Sequence, residues 1–582
     1  MRLFLSAIFC LQMTYVSLAG PNESFESLMD GAWQHTLEQS PEFATSLGYE
    51  GYAHRWSDPS VANLEKHQKW QKGFLKDLEA IQKDGLSQNN QLNYQLLLYK
   101  TRRSVSGHKF PNHLLAIDQL GGIQTFPVRV IRRQPASSVE DYKAIIQRLN
   151  HLPQLIQEHQ KLLELGLAKG VTPPRVTLER VSTQIQALVT PAVEKHPLYD
   201  PFTRIPPKMS DKQAKELQLE AKKAIKAVKK AYGDIHKYFV STYIKKAREK
   251  IAFTSLPDGN GWYQNLVESY TTTTMSMTAI HQTGLKEVAR IRKEMKKIMK
   301  RVGFKGSLQD FLHHLRTHPD FFFTKKEDLL RGYRAIAKEA DYHLPKYFGF
   351  LPRLPYGVQE IPEYAAPAAP TAYYLSGSLK NGRPGIFQAN TYDLKSRPKW
   401  GMTALTLHEA VPGHHLQIAI AQELEGLPPF RKHGGYTAFS EGWGLYAESL
   451  GYDMGMYEDP YQHFGALSYE IWRSIRLVVD TGLHSKGWSR KKAIDYFLEN
   501  SSLTKHDATV EVDRYIVMPA QALAYKIGEL KLQELRRYAE SKLGQKFQLR
   551  SFHDEVLGAG ALPLDVLEKR VKDWVAQMGK SS

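Results

Sequence analysis

The sequence predicts a mainly α-helical protein with one small β element set between two helical stretches. Three observations carry this expectation. Good helix formers, with apolar residues at helical spacing, run from about residue 22 to 340 and again from 402 to the end. Between them, Pro352, Pro355, Pro362, Pro367 and Pro370 forbid a long helix. Behind those prolines, Tyr373-Tyr374-Leu375 and Gly385-Ile386-Phe387-Gln388-Ala389-Asn390 are short strand candidates bounded by Gly and Pro.

The elements follow in chain order. Met1-Arg2, the apolar stretch Leu3 to Cys10 and Ser17-Leu18-Ala19 have the form of a secretory signal cut after Ala19. A periplasmic or secreted protein is therefore expected. Cys10 is the only cysteine and is poorly placed for acylation, so the mature chain has no disulfide, thiolate ligand or thiol nucleophile. Ser137 with Glu140 suggests a capping box, followed by Ile145, Leu149 and Leu152 at helical spacing until Pro153 interrupts. Gly166 to Gly170 and Thr172-Pro173-Pro174 mark a loop. Residues 211–232 are a Lys-rich helix with a solvated face. The two strand candidates are expected to pair as a small antiparallel hairpin. The chain divides into a signal (1–19), an N-terminal helical region (20–345) and a region (346–582) that carries the chemistry.

The 582 residues are 42% hydrophobic, enough for an extensive core. Lys plus Arg exceed Asp plus Glu by 78 to 60, a formal charge of +18. Such a surface is either simply solvated or associates electrostatically with anionic envelope components. No nucleic-acid partner is expected. No later run of about 18 apolar residues suggests a membrane span.

The chemistry lies in His408-Glu409-Ala410-Val411-Pro412-Gly413-His414-His415 and in Phe439-Ser440-Glu441-Gly442-Trp443. In an HExxH helix two His hold zinc from one face, and the Glu beside the first His is the general base. Here Pro412 stands where the second His belongs. His414 is at i+6, off the face of an ideal helix, and His415 at i+7 is two turns along. Pro412 cannot donate to the carbonyl of residue 408, and Gly413 permits unusual dihedrals. A broken turn is expected, returning either His414 or His415 to the metal. Glu441 is the candidate third ligand, Glu448 a candidate support, and Glu409 the candidate base. The competing reading is a kinked helix with satisfied core histidines.

HEAVPGHHLQ, FSEGWGLYAESLG, RLVVDTGLHSKGWS and EVDRYIVMPAQALAYKIG together resemble the bacterial "domain of unknown function 885" family. That family is placed among gluzincin-type metallopeptidases, related to helical oligopeptidases and angiotensin-converting-type dipeptidases. The resemblance implies a large helical fold around a deep cleft, one zinc per chain, and peptide hydrolysis. It makes Tyr515 and Tyr525 candidates for steadying the oxyanion, and Arg514 a candidate substrate anchor. Asp480 and His484, at i and i+4, can bridge each other or reach substrate. Residues 385–390, with Phe387 and Asn390, are the candidate edge strand for a substrate backbone.

The expectation is thus an exported zinc metallopeptidase acting on short peptides. Its rivals are a non-catalytic basic helical binding protein and a zinc amidase acting on peptidoglycan stem peptides.

Overall fold

The structure is a computed structural model and describes residues 20–363, 366, 369–379 and 382–580. The expected signal, 1–19, lies outside the described residues, as does part of the Ala-Pro stretch at 365–370. The rest is mainly helical with one three-stranded sheet. Among the described residues no helix is long and apolar enough to cross a membrane.

Local signals set most boundaries, with two corrections. The capping box sits one residue later than expected: Ser138 caps the helix Val139–Ala168, reciprocally with Asp141. An aspartate at the third position can reach back as the Glu of the usual motif does. Pro153 does not interrupt this helix. Its missing N–H costs one hydrogen bond, but Leu149, Leu152, Leu155 and Ile156 on either side are buried in one core. The helix stops at Ala168, and Gly170 turns the chain with a positive φ of 67°. The Lys-rich segment is the helix Asp211–Tyr238, capped by Ser210 and Gln213.

Residues 117–247 build a core from their own stretch of chain, as do, on a smaller scale, residues 329–410 around the sheet. The larger of the other cores are shared between distant stretches. One joins Phe25, Leu78 and Leu97 to Leu407, Trp443 and Val571, and another joins Ile291 and Phe311 to Ile475 and Tyr515. Regions 20–345 and 346–582 therefore bury their apolar faces against each other. A buried ion network ties three helices together: Lys526 Nζ lies 2.6, 2.8 and 3.1 Å from Glu529, Glu470 and Glu287.

The sheet corrects the hairpin. β2 (Ala372–Leu375) and β3 (Gly385–Ala389) are antiparallel, as expected, with Tyr374 opposite Phe387. A third strand, β1 (Tyr356–Glu360), pairs parallel with β3. The order β1-β3-β2 makes β3 the central strand. Its backbone is paired on both sides, so it cannot receive a substrate strand.

Candidate metal centre

Three consecutive features of the chain build the site. The helix Met402–Glu409 ends on the His-Glu pair. Residues 410–413 form the break that Pro412 demands, with a cis Val411–Pro412 peptide, and a new helix, His414–Glu423, starts at His414. Gly413 earns its place by close approach, not by a positive φ: its φ is −77°, but a Cβ there would collide with the carbonyl oxygens of Leu407 and His408. Trp443 Nε1 donates to the Pro412 carbonyl at 2.8 Å, which fastens the turn to the helix Thr437–Asp453.

That helix carries Glu441, Gly444 and Glu448 toward His408. One ligand atom each from His408, His414 and Glu441 lies within 4.8 Å of the others. His408 Nε2 and His414 Nε2 stand 3.6 and 3.4 Å from the same Glu441 oxygen, Oε2. These are long for hydrogen bonds. They are close to the ~3.4 Å separating donors around one tetrahedral zinc at about 2.0–2.1 Å. Glu441 Oε2 and His414 Nδ1 are buried with no hydrogen-bond partner among the described residues. The donor set therefore fits zinc. The His408 side chain keeps only 3% of its exposure, whereas His414 and Glu441 keep 14% and 20%, so the centre opens on one side.

Glu448 orients His408. Its Oε1 meets His408 Nδ1 at 2.8 Å and Arg473 at 3.2 Å. With Nδ1–H donating to Glu448, Nε2 is left as a lone-pair donor facing Glu441, the usual arrangement of a metal-ligating histidine. Burial opposes charge on His408, but the adjacent carboxylates of Glu441 and Glu448 outweigh it and hold the pKa up at about 9. Burial likewise opposes charge on Glu441, and the two imidazoles overcome it, keeping the carboxyl well below its usual range. Gly444 packs on the His408 ring so tightly that a Cβ would lie 2.5 Å from Cε1.

The alternatives at the doublet separate cleanly. His414 joins His408, with ring centroids 4.7 Å apart. His415 turns the other way: Nδ1 meets the Tyr374 hydroxyl at 2.9 Å, and Tyr356 packs on its ring. Burial pushes its pKa down to about 4. His415 ties the sheet to the site and is not part of the cluster. Glu409 is buried, and among the described residues no hydrogen bond or ion pair engages its carboxylate.

The two tyrosines also separate. The Tyr525 ring lies over His408 at 6.5 Å and nearly parallel, with the Arg476 guanidinium 4.3 Å from its face. Tyr515 is fully buried behind Arg476; its hydroxyl donates to Glu511 at 2.5 Å and accepts from Arg476 at 3.0 Å. It positions Arg476 and does not face the cluster. Arg514 donates to Gln521 and Glu511, in the same network.

Three expected substrate contacts are structural instead. His484 is fully buried, with Nδ1 accepting from Phe253 N–H and Nε2 facing the Tyr515 carbonyl. Asp480 does not pair with it; its carboxyl accepts from the Tyr263 hydroxyl and Ala520 N–H. Phe387 is fully buried against Tyr333. Asn390 is buried and spends its amide on the carbonyls of Ala366, Ala369 and Pro370. Sequence reasoning missed Arg473. Its signal was available: Tyr469, Trp472, Arg473 and Arg476 fall at i, i+3, i+4 and i+7, one face of the helix Pro460–Ser485.

The chain belongs to the family described as "Bacterial protein of unknown function (DUF885)", whose model matches residues 41–571. It is similar to the crystal structure of a "putative lipoprotein" from Colwellia psychrerythraea. That match has a TM-score of 0.91 and 29% identity, covering 96% of this chain and 100% of the other. A second similar structure, a "putative lipoprotein of unknown function" from Shewanella oneidensis, has a TM-score of 0.74 and 18% identity. It covers 95% of this chain and 99% of its own, and shows the shared fold alone. No protein with a curated description matches.

Proposed function

We propose that the chain is an exported zinc-dependent hydrolase of short peptides. One observation carries this most directly. Two imidazole Nε2 atoms converge at 3.4 and 3.6 Å on a buried carboxylate oxygen that has no hydrogen-bond partner among the described residues. A core that merely satisfies its histidines has no need of that geometry. His408, His414 and Glu441 would hold the zinc, which supplies Lewis acidity for attack on a carbonyl. The chain's own residues do the rest. Glu409 takes a proton from the attacking water on its carboxylate and passes it to the leaving amine. The Tyr525 hydroxyl donates to the oxygen that gains charge. Glu448 and Arg473 keep His408 in the ligating tautomer and orientation.

An envelope or secreted location agrees with the signal-like start of the sequence and with relatives described as lipoproteins. With His414 and Glu441 only partly exposed, the centre would be reached by extended short peptides and not by folded proteins. The test is metal analysis and turnover together. The purified chain should carry about one zinc. Glu409→Gln should retain the metal and lose at least about a hundredfold in turnover on a peptide library. No zinc uptake on titration, or undiminished turnover in the Gln variant, would sink the proposal.

A further inference from the structure

A cavity of about 260 Å³ lies between the short helices Pro41–Ser46 and Phe126–Arg133, and none of its lining residues belongs to the metal centre. Three arginines line it: Arg129, Arg133 and, from the helix Val139–Ala168, Arg148. Arg148 is completely buried, whereas Arg129 and Arg133 are exposed. The first therefore forms the floor, and the other two form a rim that solvent reaches.

The charge at this cavity is not balanced. Arg148 Nε donates to the Arg55 carbonyl, Nη1 to Gln134 Oε1, and Nη2 to Thr45 Oγ1 and the Tyr52 carbonyl, at 2.7–3.2 Å. All of these acceptors are neutral, and one N–H of the guanidinium is left over. Burial pushes the Arg148 pKa down to about 10. A charge this deep is ordinarily held by an opposite one. The one carboxylate on the cavity wall, Glu42, is engaged by the N–H and hydroxyl of Ser57. At the rim, Arg129 and Arg133 are i and i+4 on one helix face, where like charges repel. Neither makes a hydrogen bond or ion pair among the described residues. Burial, and then Arg133, lower the pKa of Arg129, with no carboxylate to offset them. Arg132, between them, turns to Asp200 at 3.7 Å.

Three guanidinium groups against a single carboxylate leave an excess of two positive charges. A phosphate monoester carries about −1.5 to −2 at pH 7, and its oxygens suit bidentate guanidinium forks. A carboxylate would cancel only half of the excess. The cavity is larger than a phosphoryl group, and Phe43, Phe126 and Val130 give apolar wall to the atoms that carry it. We infer that this cavity is an anion site that binds a phosphate monoester, with Arg129 and Arg133 gripping the phosphoryl oxygens above Arg148. The site stands apart from the hydrolase reading.

The experiment titrates the full chain with inorganic phosphate and with glycerol phosphate at constant ionic strength, read by calorimetry. Both should saturate one site, and acetate should bind at least about tenfold more weakly. Arg129→Gln and Arg133→Gln should each weaken phosphate by about tenfold or more, the loss of a charge-assisted hydrogen bond. Lys223→Gln makes the same change of net charge at an exposed position of Asp211–Tyr238 and should leave the affinity unchanged. Saturating phosphate should raise the melting temperature of the parent but not of the double arginine variant. Vesicles of phosphatidic acid in phosphatidylcholine separate two sources of the group. Capture of the parent but not of the double variant assigns a lipid headgroup; glycerol phosphate binding without capture assigns a soluble ester. Either result supports the site. No saturable phosphate binding, acetate bound as tightly as phosphate, or an equal loss in Lys223→Gln overturns the inference. Phosphate binding unchanged in both arginine variants places the anion elsewhere, the metal centre included, and overturns it as well.

Discussion

Gly444→Ala tests the construction of the metal centre with a single methyl group. The added Cβ would lie 2.5, 2.8 and 2.9 Å from Cε1, Nε2 and Nδ1 of His408. The ring cannot retreat freely, because Nδ1 is held by Glu448 at 2.8 Å and the His414 ring stands 4.7 Å away on another side. Either the helices part, at an overpacking cost of about 1–3 kcal/mol, or His408 swings and forfeits its charge-assisted bond, worth about 1.5–3 kcal/mol. Spread over the unfolding entropy of a chain this size, about 2.1 cal/mol/K per residue, either cost lowers the melting temperature by only ~1–3 °C. The larger effect is on the metal. Displacing the ring or its support should weaken zinc binding by at least about 10–100-fold, as losing an outer partner does. Competition against a chelator indicator, with calorimetric melting, measures both. Gly233→Ala is the control, since a Cβ there meets nothing within 4 Å. It should leave zinc affinity unchanged and raise stability by roughly 0.5–1 kcal/mol, the helical penalty of glycine. Zinc binding in Gly444→Ala as tight as in the parent would refute this account of the ring.

Three further outcomes are expected. His414→Ala should abolish tight zinc binding, whereas His415→Ala should lower the melting temperature by freeing Tyr374 and weaken zinc far less; isothermal titration of both reads the contrast. Tyr525→Phe should cut kcat by about 10²–10³, the usual loss of an oxyanion donor, while Tyr515→Phe should act mainly on stability, by ~1–3 kcal/mol, through its buried bonds to Glu511 and Arg476; steady-state kinetics and melting separate them. Burial pushes the Asp480 carboxyl from 3.8 up to about 7 against hydrogen bonds from Tyr263 and Ala520, so the folded state holds this proton more tightly than the unfolded chain. That stability is present below pH 4 and is lost as pH rises toward 7, by about 4 kcal/mol at ~1.36 kcal/mol per unit; the melting-temperature difference between the parent and Asp480→Asn should therefore change by several degrees between pH 4.5 and 8, and parallel curves would disprove it.

What the sequence reveals of this fold follows from how local each signal is. Helices with a Ser cap and an amphipathic face, such as Asp211–Tyr238, are visible because cap and face lie within the helix itself. The break at Pro412-Gly413 is legible for the same reason: a missing N–H and a missing Cβ are local facts. The choice between His414 and His415 is not legible. It depends on which side the turn leaves the helix, and that is fixed by Trp443, 31 residues away, through the Pro412 carbonyl. The role of β3 was misjudged because its parallel partner, β1, lies in the proline-rich stretch, where alternation is weak. Asp480 and His484 share helical spacing yet serve different partners, Ala520 and Tyr263 for one, Phe253 and Tyr515 for the other. Spacing places side chains on one face but does not say what comes to meet them.

The pair Arg473–Glu448 allows stability and function to be separated. Both side chains are about 95% buried, and one Glu448 oxygen serves Arg473 and His408 together. Burying two charges costs desolvation that their attraction need not recover, so such a pair is weak evidence of a stabilising role. Removing one partner is a different matter: Arg473→Met leaves Glu448 charged and underpaired, and should destabilise the chain by about 3–5 kcal/mol. Replacing both, as Arg473→Met with Glu448→Leu, removes the unpaired charge and should recover most of that loss by apolar packing. It cannot restore the acceptor for His408 Nδ1. If the pair exists to hold the ligand, the double variant should melt near the parent yet bind zinc about 10–100-fold more weakly. If the pair is only a core ion bridge, the double variant should recover zinc affinity along with stability. Melting curves and zinc titrations on the parent, the single and the double variant decide between the two. Full recovery of both properties in the double variant would remove Glu448 from the metal centre.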